Sequence, residues 1–255
     1  MKNKVKIEYS IISRGTEKYN HCGYMSITEN VDNYRYIVNC DHNELESTIK
    51  ENSLKFDDKH SISNVVISRF ELIVSLCLEK CTIDDDIIIF GLGNLGFATL
   101  LYLLKKGYKR ITVFSNKKEN VKDLERKFDA KITIVNKLSK DYCTYIDCTG
   151  SSEILKLIFE KIGFMKKIFI LSTPRDSKFL IDPLLINRKN LLIVGGHEFN
   201  GISNEIRNNK FSKILLENKG YCDLFSNYIS IHSFSLNKYK DLLNKKSNYY
   251  DVFKY

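Results

Sequence analysis

Three glycines at fixed spacing stand between a short apolar run and a longer one. The stretch IIIFGLGNLGFATLLYLL, residues 87–104, holds Gly91, Gly93 and Gly96 in the pattern GxGxxG. Between a strand and a helix, the first glycine permits a tight turn, the second lets backbone amides approach a pyrophosphate, and the third lets helix and strand pack closely. The helix start would face the phosphates with its N–H groups. The pattern predicts cofactor contacts from Gly91, Gly93, Asn94, Leu95 and Gly96. A glycine-rich turn without a ligand is the alternative.

The same stretch is nearly long enough to span a bilayer, so a membrane helix has to be considered. Three glycines and an asparagine lie inside it, acidic residues 84–86 precede it, and the sequence KKG follows it. Glycine weakens a helix. The pattern therefore favours a buried strand followed by a separate helix.

The residues after the second strand bear on which nicotinamide cofactor would fit. In NAD sites an acidic residue about 20 positions beyond the glycines holds the adenosine ribose hydroxyls. Here the strand ends in TVFSNKKEN, which places Ser115, Asn116, Lys117 and Lys118 where the acid would stand. Hydrogen-bond donors and positive charge suit a 2′-phosphate. The sequence favours NADP over NAD, with a solvated basic turn as the alternative.

Small and hydroxyl-bearing residues end three later apolar runs. In open parallel sheets, ligands bind outside the carboxyl ends of the strands. The residues YIDCTG, FILST and LLIVGGH therefore supply candidates for the nicotinamide half of the site, although each could also be an ordinary loop residue. These candidates are Thr149, Gly150, Ser172, Thr173 and His197.

From about residue 70, β-rich runs alternate with helical stretches. Such alternation is typical of right-handed βαβ units and a parallel sheet, and nearly all-apolar strands indicate that helices cover both faces. We predict an α/β fold in which residues 67–199 form a Rossmann-type dinucleotide-binding domain. Residues 1–66 and 200–255 are more polar, and we predict that they form a second, smaller domain built from both chain ends.

The composition favours a globular protein and argues against nucleic-acid binding. The 255 residues include 40 Lys and Arg against 31 Asp and Glu, a net charge of +9, without a run of five basic residues. Nucleic-acid binding needs a concentrated basic face. Seven irregularly spaced cysteines with no secretory signal predict reduced thiols and a cytoplasmic location. Cys77 and Cys81 lack a second Cys or His pair to complete a metal site.

The order of segments resembles the medium-chain dehydrogenase/reductase superfamily over most of the chain. The segment VKIEYSIISRGTE resembles the family's early strand and turn, and ISNVVISRFELIVSLCL resembles the helix before its fingerprint. FGLGNLGFATLLYLLKKGYKRITVFS, YIDCTGSSEILKLIFEKI and NLLIVGGHEF resemble its cofactor domain, and YISIHSFSLNKYKDLL resembles its returning C-terminal segment. The resemblance implies an NAD(P)-dependent oxidoreductase with a Rossmann domain and a chaperonin-10-like catalytic domain, commonly a homodimer.

The departures from the family pattern concern the catalytic domain. In zinc-dependent relatives a catalytic cysteine precedes GT[DE]; aligned on Gly15-Thr16-Glu17, that position holds Arg14. The segment from Glu17 to residue 62 has no counterpart of the GHE zinc ligand, the sequence has none of the four-cysteine lobe, and this segment is too short for the usual barrel. The resemblance implies a shortened, zinc-independent member with no metal ligand. Such relatives commonly reduce a C=C bond conjugated to a carbonyl, with hydride added at the β-carbon and a proton at the α-carbon.

Candidate reacting groups cluster in SRGTEKYNHCGY, because the family places its substrate between the catalytic domain and the nicotinamide; they are Arg14, Glu17, Tyr19 and His21. Arg14 could bind a carboxylate or carbonyl, and Tyr19 or His21 could donate a proton. Arg14 and Glu17 could instead form a structural ion pair, and Tyr19 could belong to the core. His42 and His232 are weaker candidates, since a single histidine on a strand is usually structural.

These features predict a zinc-independent, NADPH-dependent reductase of a small or carrier-bound substrate with an activated C=C bond, in a biosynthetic pathway. A carbonyl, alcohol or imine could be the substrate of the same fold. A nucleotide-binding sensor that has lost catalysis is the alternative from another class, because fold does not fix function.

Overall fold

The computed structural model describes residues 4–13, 17, 23, 25–116, 121–173, 180–198, 201–244 and 249–255. The chain divides into two compact units, one made of Met1–Leu72 with Gly201–Tyr255 and the other of Ile73–Asn200. The strands of the described part are β1 (Lys4–Ile12), β2 (Met25–Thr28), β3 (Tyr34–Val38), β4 (Glu46–Thr48), β5 (Leu54–Asp57), β6 (Ile87–Phe90), β7 (Arg110–Phe114), β8 (Lys131–Val135), β9 (Thr144–Asp147), β10 (Lys167–Ile170), β11 (Leu192–Gly195), β12 (Ile229–Ser233) and β13 (Tyr250–Lys254).

The helices of the described part are α1 (Ile62–Leu78), α2 (Asn94–Lys105), α3 (Lys122–Phe128), α4 (Ser152–Lys161), α5 (Pro183–Lys189), α6 (Asn204–Asn218), α7 (Cys222–Ser226) and α8 (Leu236–Asn244). A single 3₁₀ turn, Lys219–Tyr221, lies between α6 and α7. None of the helices in the described ranges is long and apolar enough to cross a membrane.

The second unit is built around a six-stranded parallel sheet. Its strands run in the order β8-β7-β6-β9-β10-β11 when read from one edge, and every neighbouring pair is parallel. Numbered within the unit, this order is 3-2-1-4-5-6, the doubly wound arrangement of dinucleotide-binding folds. The predicted α/β class and Rossmann-type sheet are confirmed.

The stretch at residues 87–104 divides into a strand and a helix, as predicted. All four residues of β6 are buried, since β6 lies between β7 and β9 at the centre of the sheet. Helix α2 buries its residues from Gly96 to Leu104 without a break. A strand that is covered on both faces and a helix that is enclosed on most sides both need continuous apolar sequence, which explains the length of the uncharged run.

The first unit contains a seven-stranded sheet ordered β12-β13-β1-β2-β3-β5, with β4 also paired to β1. Its pairs are antiparallel except for β12 and β13, which are parallel. Strand β1 is central and its last residues, Ile11 and Ile12, are almost wholly buried. Strands from both ends of the chain therefore form one sheet.

Candidate functional site

The glycine turn after β6 has the geometry that its sequence predicts. Gly91 has φ +86°, a left-handed conformation that side chains disfavour, and its N–H donates to the Phe114 carbonyl at 2.9 Å. A Cβ on Gly96 would lie 2.0 Å from the Gly91 carbonyl oxygen. The helix can therefore start this close to the strand only if residue 96 is glycine.

Gly93 differs from these two glycines because a Cβ there would meet nothing within 4 Å. Its φ of −89° is open to any residue. The space beside Gly93 is therefore not needed by the fold itself, and it leaves the backbone of the turn accessible to a ligand.

Helix α2 begins at this turn. Gly93 is its N-cap, with no side chain to bond the first N–H groups and no acidic residue in the first turn. The first bond of the helix runs from the Phe97 N–H to the Gly93 carbonyl at 2.8 Å. Helix N-termini carry a partial positive charge and N–H groups without intrahelical partners, so they bind phosphates. The turn and the helix start together have the form of a phosphate site.

The turn lies where the order of the sheet reverses. Strands β6 and β9 are neighbours, and the chain continues from them to opposite edges of the sheet. A Cβ on Gly91 would lie 2.8 Å from the Thr149 Cγ2, so the residues that follow β6 and β9 are in contact. Ligands of doubly wound folds bind at such a switch point.

Thr149 is held in place by the buried Asp147. The Asp147 Oδ1 accepts the Thr149 N–H at 2.8 Å and the Thr149 hydroxyl at 2.5 Å. The Thr149 Oγ1 in turn accepts the N–H of Ser151, the N-cap of α4, at 3.1 Å. These bonds fix the loop after β9.

Gly150 brings the ends of β9 and β10 together. Its φ is +64°, and a Cβ there would lie 2.3 Å from the Thr173 carbonyl oxygen and 2.9 Å from the Ser172 Oγ. Among the described residues, this buried Ser172 Oγ has no hydrogen-bond partner. A buried hydroxyl at the edge of a crevice can take a polar group of a bound molecule. The structure thus brings together Gly91, Gly93, Gly96, Thr149, Gly150, Ser172 and Thr173.

Other predicted cofactor residues lie further along the sheet edge. Ser115 follows β7, its N–H donates to the Val135 carbonyl at 2.8 Å, and Asn116 beyond it is exposed. Lys117 and Lys118 lie outside the described residues. His197 is exposed after β11, which β9 and β10 separate from β6.

Among the predicted reacting groups, Arg14, Tyr19 and His21 lie outside the described residues, and Glu17 lies within them. The Glu17 side chain is fully buried and its Oε2 lies 2.8 Å from the His42 Nε2. Its Oε1 accepts the Ser13 N–H at 2.6 Å. Both carboxylate oxygens are thus occupied inside the protein.

Sequence reasoning did not single out Asp147, Ser10 or Asp251, and it did not connect Glu17 with His42. His42 lies between Glu17 and Ser10, and His232 pairs with the buried Asp251 at 2.7 Å. For Asp147 a signal existed, because a carboxylate that ends an apolar strand two residues before a threonine suits an Asx-type turn. The histidine pairs join residues far apart in sequence, so no local pattern could reveal them.

In the described ranges no group of three or more His, Cys, Asp or Glu side chains is arranged to hold a metal ion. Burial raises the pKa of Cys77 to about 11, so its thiol stays protonated at neutral pH. Burial also raises the pKa of Cys148, whose Sγ lies 3.3 Å from the Thr99 hydroxyl behind the glycine turn. These cysteines are packing residues.

No protein-family model matches the chain, and no curated protein matches it. Solved structures do match. The Bacillus subtilis protein yhfP, crystallised with NAD, is 12% identical with a TM-score of 0.72 over 100% of this chain and 91% of its own. The TarJ protein of S. aureus is 14% identical with a TM-score of 0.71 over 98% and 90%. The yhdH oxidoreductase of Salmonella enterica, in complex with NADP, is 10% identical with a TM-score of 0.69 over 100% and 91%. At these identities the likeness establishes the fold, and the resemblance drawn from the sequence is confirmed at that level.

Proposed function

We propose that this chain is a zinc-independent oxidoreductase that binds NADP(H) at the turn between β6 and α2. The observation that carries the proposal is the Gly91–Gly96 turn, in which Gly91 and Gly96 are required by the fold whereas Gly93 is required by no neighbour. Glycine at a position where alanine would fit suggests that a ligand approaches the backbone there. The fold neighbours crystallised with NAD or NADP support the same ligand class.

The residues at the switch point fit a dinucleotide. In this proposal the start of α2 binds the pyrophosphate, and the loops after β9 and β10 bind the nicotinamide half, with the buried Ser172 hydroxyl available for a polar group. The nicotinamide, when bound, supplies hydride chemistry. The chain's own contribution is to bind and orient the cofactor through Thr149, Gly150, Ser172 and Thr173, with His197 as a further candidate.

Preference for NADP over NAD is proposed from the residues after β7. Ser115 and Asn116 lie at the carboxyl end of that strand, and the sequence continues with Lys117 and Lys118. No carboxylate stands in this stretch before Glu119. Donors and positive charge would bind a 2′-phosphate, which a carboxylate would repel.

The substrate side of the proposal rests on the segment around Arg14. We propose that Arg14 binds a carboxylate or carbonyl group of the substrate, and that Tyr19 or His21 donates a proton. A C=C bond conjugated to a carbonyl is the proposed substrate class. Glu17 is assigned a different role, because both its oxygens are already bonded to Ser13 and His42.

We also propose that the protein assembles as a homodimer through β11. This strand pairs with β10 on one side and has no strand partner on its other side among the described residues. Leu192 at its start is 44% exposed. Unpaired strand edges with exposed apolar residues favour pairing with another chain. The cytoplasmic location remains a prediction from the cysteines alone.

Cofactor binding is tested by thermal unfolding with NADPH and with NADH. A ligand that binds only the folded state increases the free energy of unfolding, by about 2.7 kcal/mol at 100 times its Kd, and so raises the Tm. We expect NADPH to raise the Tm at concentrations where NADH does not. Gly93→Ala should unfold at the wild-type temperature without ligand, because its Cβ has no neighbour, and should lose the shift with NADPH. Gly220→Ala, also free of neighbours, is the matched control and should keep the shift. An unchanged NADPH shift in Gly93→Ala would refute the proposed phosphate site.

Lys117→Glu tests the choice between the two cofactors. A carboxylate at this position should reduce the NADPH shift and favour NADH, because it repels the 2′-phosphate and can accept from ribose hydroxyls. Lys137→Glu makes the same charge change at an exposed position after β8 and should leave both shifts as they are. Equal responses from the two variants would contradict the preference for NADP.

Substrate class is tested by NADPH oxidation with 2-cyclohexen-1-one and with cyclohexanone. The proposal expects turnover of the unsaturated ketone and none of the saturated one. Turnover of cyclohexanone instead would favour carbonyl reduction. Binding of NADPH without oxidation by either probe would favour the sensor.

A further inference from the structure

A row of hydrogen-bonded, buried polar side chains links neighbouring strands β1 and β2 of the first unit to His42 and Glu17. The Ser26 Oγ lies 3.1 Å from the Ser10 Oγ, which is hydrogen-bonded to the His42 Nδ1, and the His42 Nε2 lies 2.8 Å from the Glu17 Oε2. Ser10, Ser26 and His42 are each 0% exposed. Buried polar groups are retained at a cost unless each is satisfied. Here each polar group is hydrogen-bonded to the next one, from Ser26 to Glu17.

His42 is held from several directions besides its two ring nitrogens. The Tyr255 hydroxyl donates to the His42 carbonyl at 2.6 Å. The rings of Tyr239 and Phe253 pack edge to face against the imidazole at centroid distances of 5.0 and 5.7 Å. A Cβ on Gly23 would lie 2.7 Å from the His42 backbone nitrogen and 2.9 Å from its Nδ1. The imidazole therefore has one orientation, with Nε2 directed at Glu17.

Glu17 passes this restraint to the end of β1. Its Oε1 accepts the Ser13 N–H at 2.6 Å, and its own N–H donates to the Ser13 carbonyl at 2.9 Å. Ser13 and Glu17 are thus joined by two bonds, one from the backbone and one from the side chain, and they bracket residues 14–16 in the sequence. A carboxylate only accepts, so the His42 Nε2 must carry the hydrogen in this pair.

The order Ser10, His42, Glu17 is that of a hydrolytic triad, but the burial excludes that chemistry. A nucleophilic serine must reach a carbonyl carbon of its substrate, and Ser10 is 0% exposed. The hydroxyl also contacts Ser26. These three buried side chains can therefore orient neighbouring residues, but they cannot react with a substrate.

We propose that His42 is a positioning residue: it holds the Glu17 carboxylate, and through it Ser13, so that the two described residues flanking Arg14 in the sequence are fixed. This inference rests on the proposed function, in which Arg14 binds substrate, and it adds a residue that touches neither substrate nor cofactor. Ser10 supports the imidazole from the opposite nitrogen. In this proposal the hydrogen bonds among Ser10, His42 and Glu17 fix the end of β1.

Two substitutions separate the Glu17 bond from the rest of the network. The amide nitrogen of Gln reaches the place of a histidine Nε2, and the amide of Asn reaches the place of Nδ1. His42→Gln should therefore keep the bond to Glu17, whereas His42→Asn should lose it and keep the bond to Ser10. His232→Asn is the matched control, because it removes the other histidine–carboxylate pair of the same sheet.

Amide hydrogen exchange, followed by mass spectrometry, tests the restraint without reference to activity. In His42→Asn the Glu17 carboxylate loses its His42 partner and should no longer hold the Ser13 N–H. That N–H should then exchange about tenfold faster or more, because a charge-assisted hydrogen bond is lost. His42→Gln and His232→Asn should exchange at the wild-type rate at this position. If His42→Asn does not fold, Glu17→Ala provides the readout instead, because it removes the oxygen that accepts the Ser13 N–H. Protection of Ser13 unchanged in the variant that folds would overturn the proposal.

Kinetics test the consequence for substrate. With NADPH and 2-cyclohexen-1-one, His42→Asn should raise KM for the enone about tenfold while kcat and the NADPH-induced Tm shift stay near wild type. His42→Gln should restore KM. If the wild type turns over no enone, the proposed function fails while hydrogen exchange still decides the role of His42. If exchange rises at Ser13 but KM does not, Arg14 is not a substrate residue. A parallel fall in Tm, kcat and cofactor binding would indicate a purely structural role and contradict the inference.

Discussion

Gly96 is the residue at which the glycine turn after β6 is least tolerant of change. A Cβ there would lie 2.0 Å from the Gly91 carbonyl oxygen and 2.9 Å from its carbon. Both are backbone atoms at the end of β6, so the strand and α2 would have to separate. Overpacking of this kind typically costs about 1–3 kcal/mol. Gly96→Ala should therefore lower the urea midpoint of unfolding, whereas Gly93→Ala should not. Equal midpoints for the two variants would refute the close approach of helix and strand.

Some single-residue roles could be predicted from sequence and others could not. Gly91 and Gly96 could, because a turn between strand and helix imposes local backbone demands that only glycine meets. Thr149 and Ser172 could be placed together because parallel strands end at one edge of the sheet. The partners of His42 lie 32 and 25 residues away in sequence. Only the pairing of distant segments brings Ser10 and Glu17 to that ring, so the row of buried side chains required the structure.

At the scale of elements, the parallel sheet could be predicted and the sheet of the first unit could be predicted only in outline. Alternating strands and helices follow a rule of handedness that leaves few topologies. Strand β13 pairs with β1 across more than 200 residues of sequence, as in the pairing of Ile11 with Val252. Strand β12 then pairs parallel to β13. No local pattern encodes such a register. The more polar character of both chain ends, on either side of the alternating strands and helices, was what placed them in one domain.

Strand β11 is the proposed contact between the two copies of a homodimer. In a two-fold dimer formed edge to edge, each copy contributes the same four-residue strand, so in the register that pairs all four residues the two copies of residue 192 would lie about 11 Å apart. Leu192→Lys would then place two like charges at the contact. We expect the wild type to sediment as a dimer and this variant as a monomer. Leu216→Lys, at a 66% exposed position of α6, should remain dimeric. A monomeric wild type, or a dimeric Leu192→Lys, would contradict the role of β11.

At the scale of the whole molecule, titratable groups in both units limit the pH range of stability. Burial raises the pKa of Cys77 to about 11 and that of Cys40 to about 12. Above pH 9 the unfolded chain releases these protons and the folded chain keeps them. The unfolded state then binds fewer protons, so stability falls as the pH rises from about 9 to about 11. Burial also raises the pKa of Tyr108, which acts in the same direction.

The loss of stability at acid pH is due in part to His60, because burial lowers the pKa of its imidazole below 6.5. As the pH falls through that value, the unfolded chain takes up a proton that the folded chain does not, and stability decreases. Stability should therefore be greatest between about pH 7 and pH 9. Urea midpoints at pH 6, 8 and 10 measure this directly, with the value at pH 8 expected to be the highest. Cys77→Ala should reduce the drop between pH 8 and pH 10, because one of the groups responsible is gone. His60→Gln should reduce the drop between pH 8 and pH 6 for the same reason. Midpoints that do not change with pH, or that change equally in all three proteins, would show that these buried groups do not control stability.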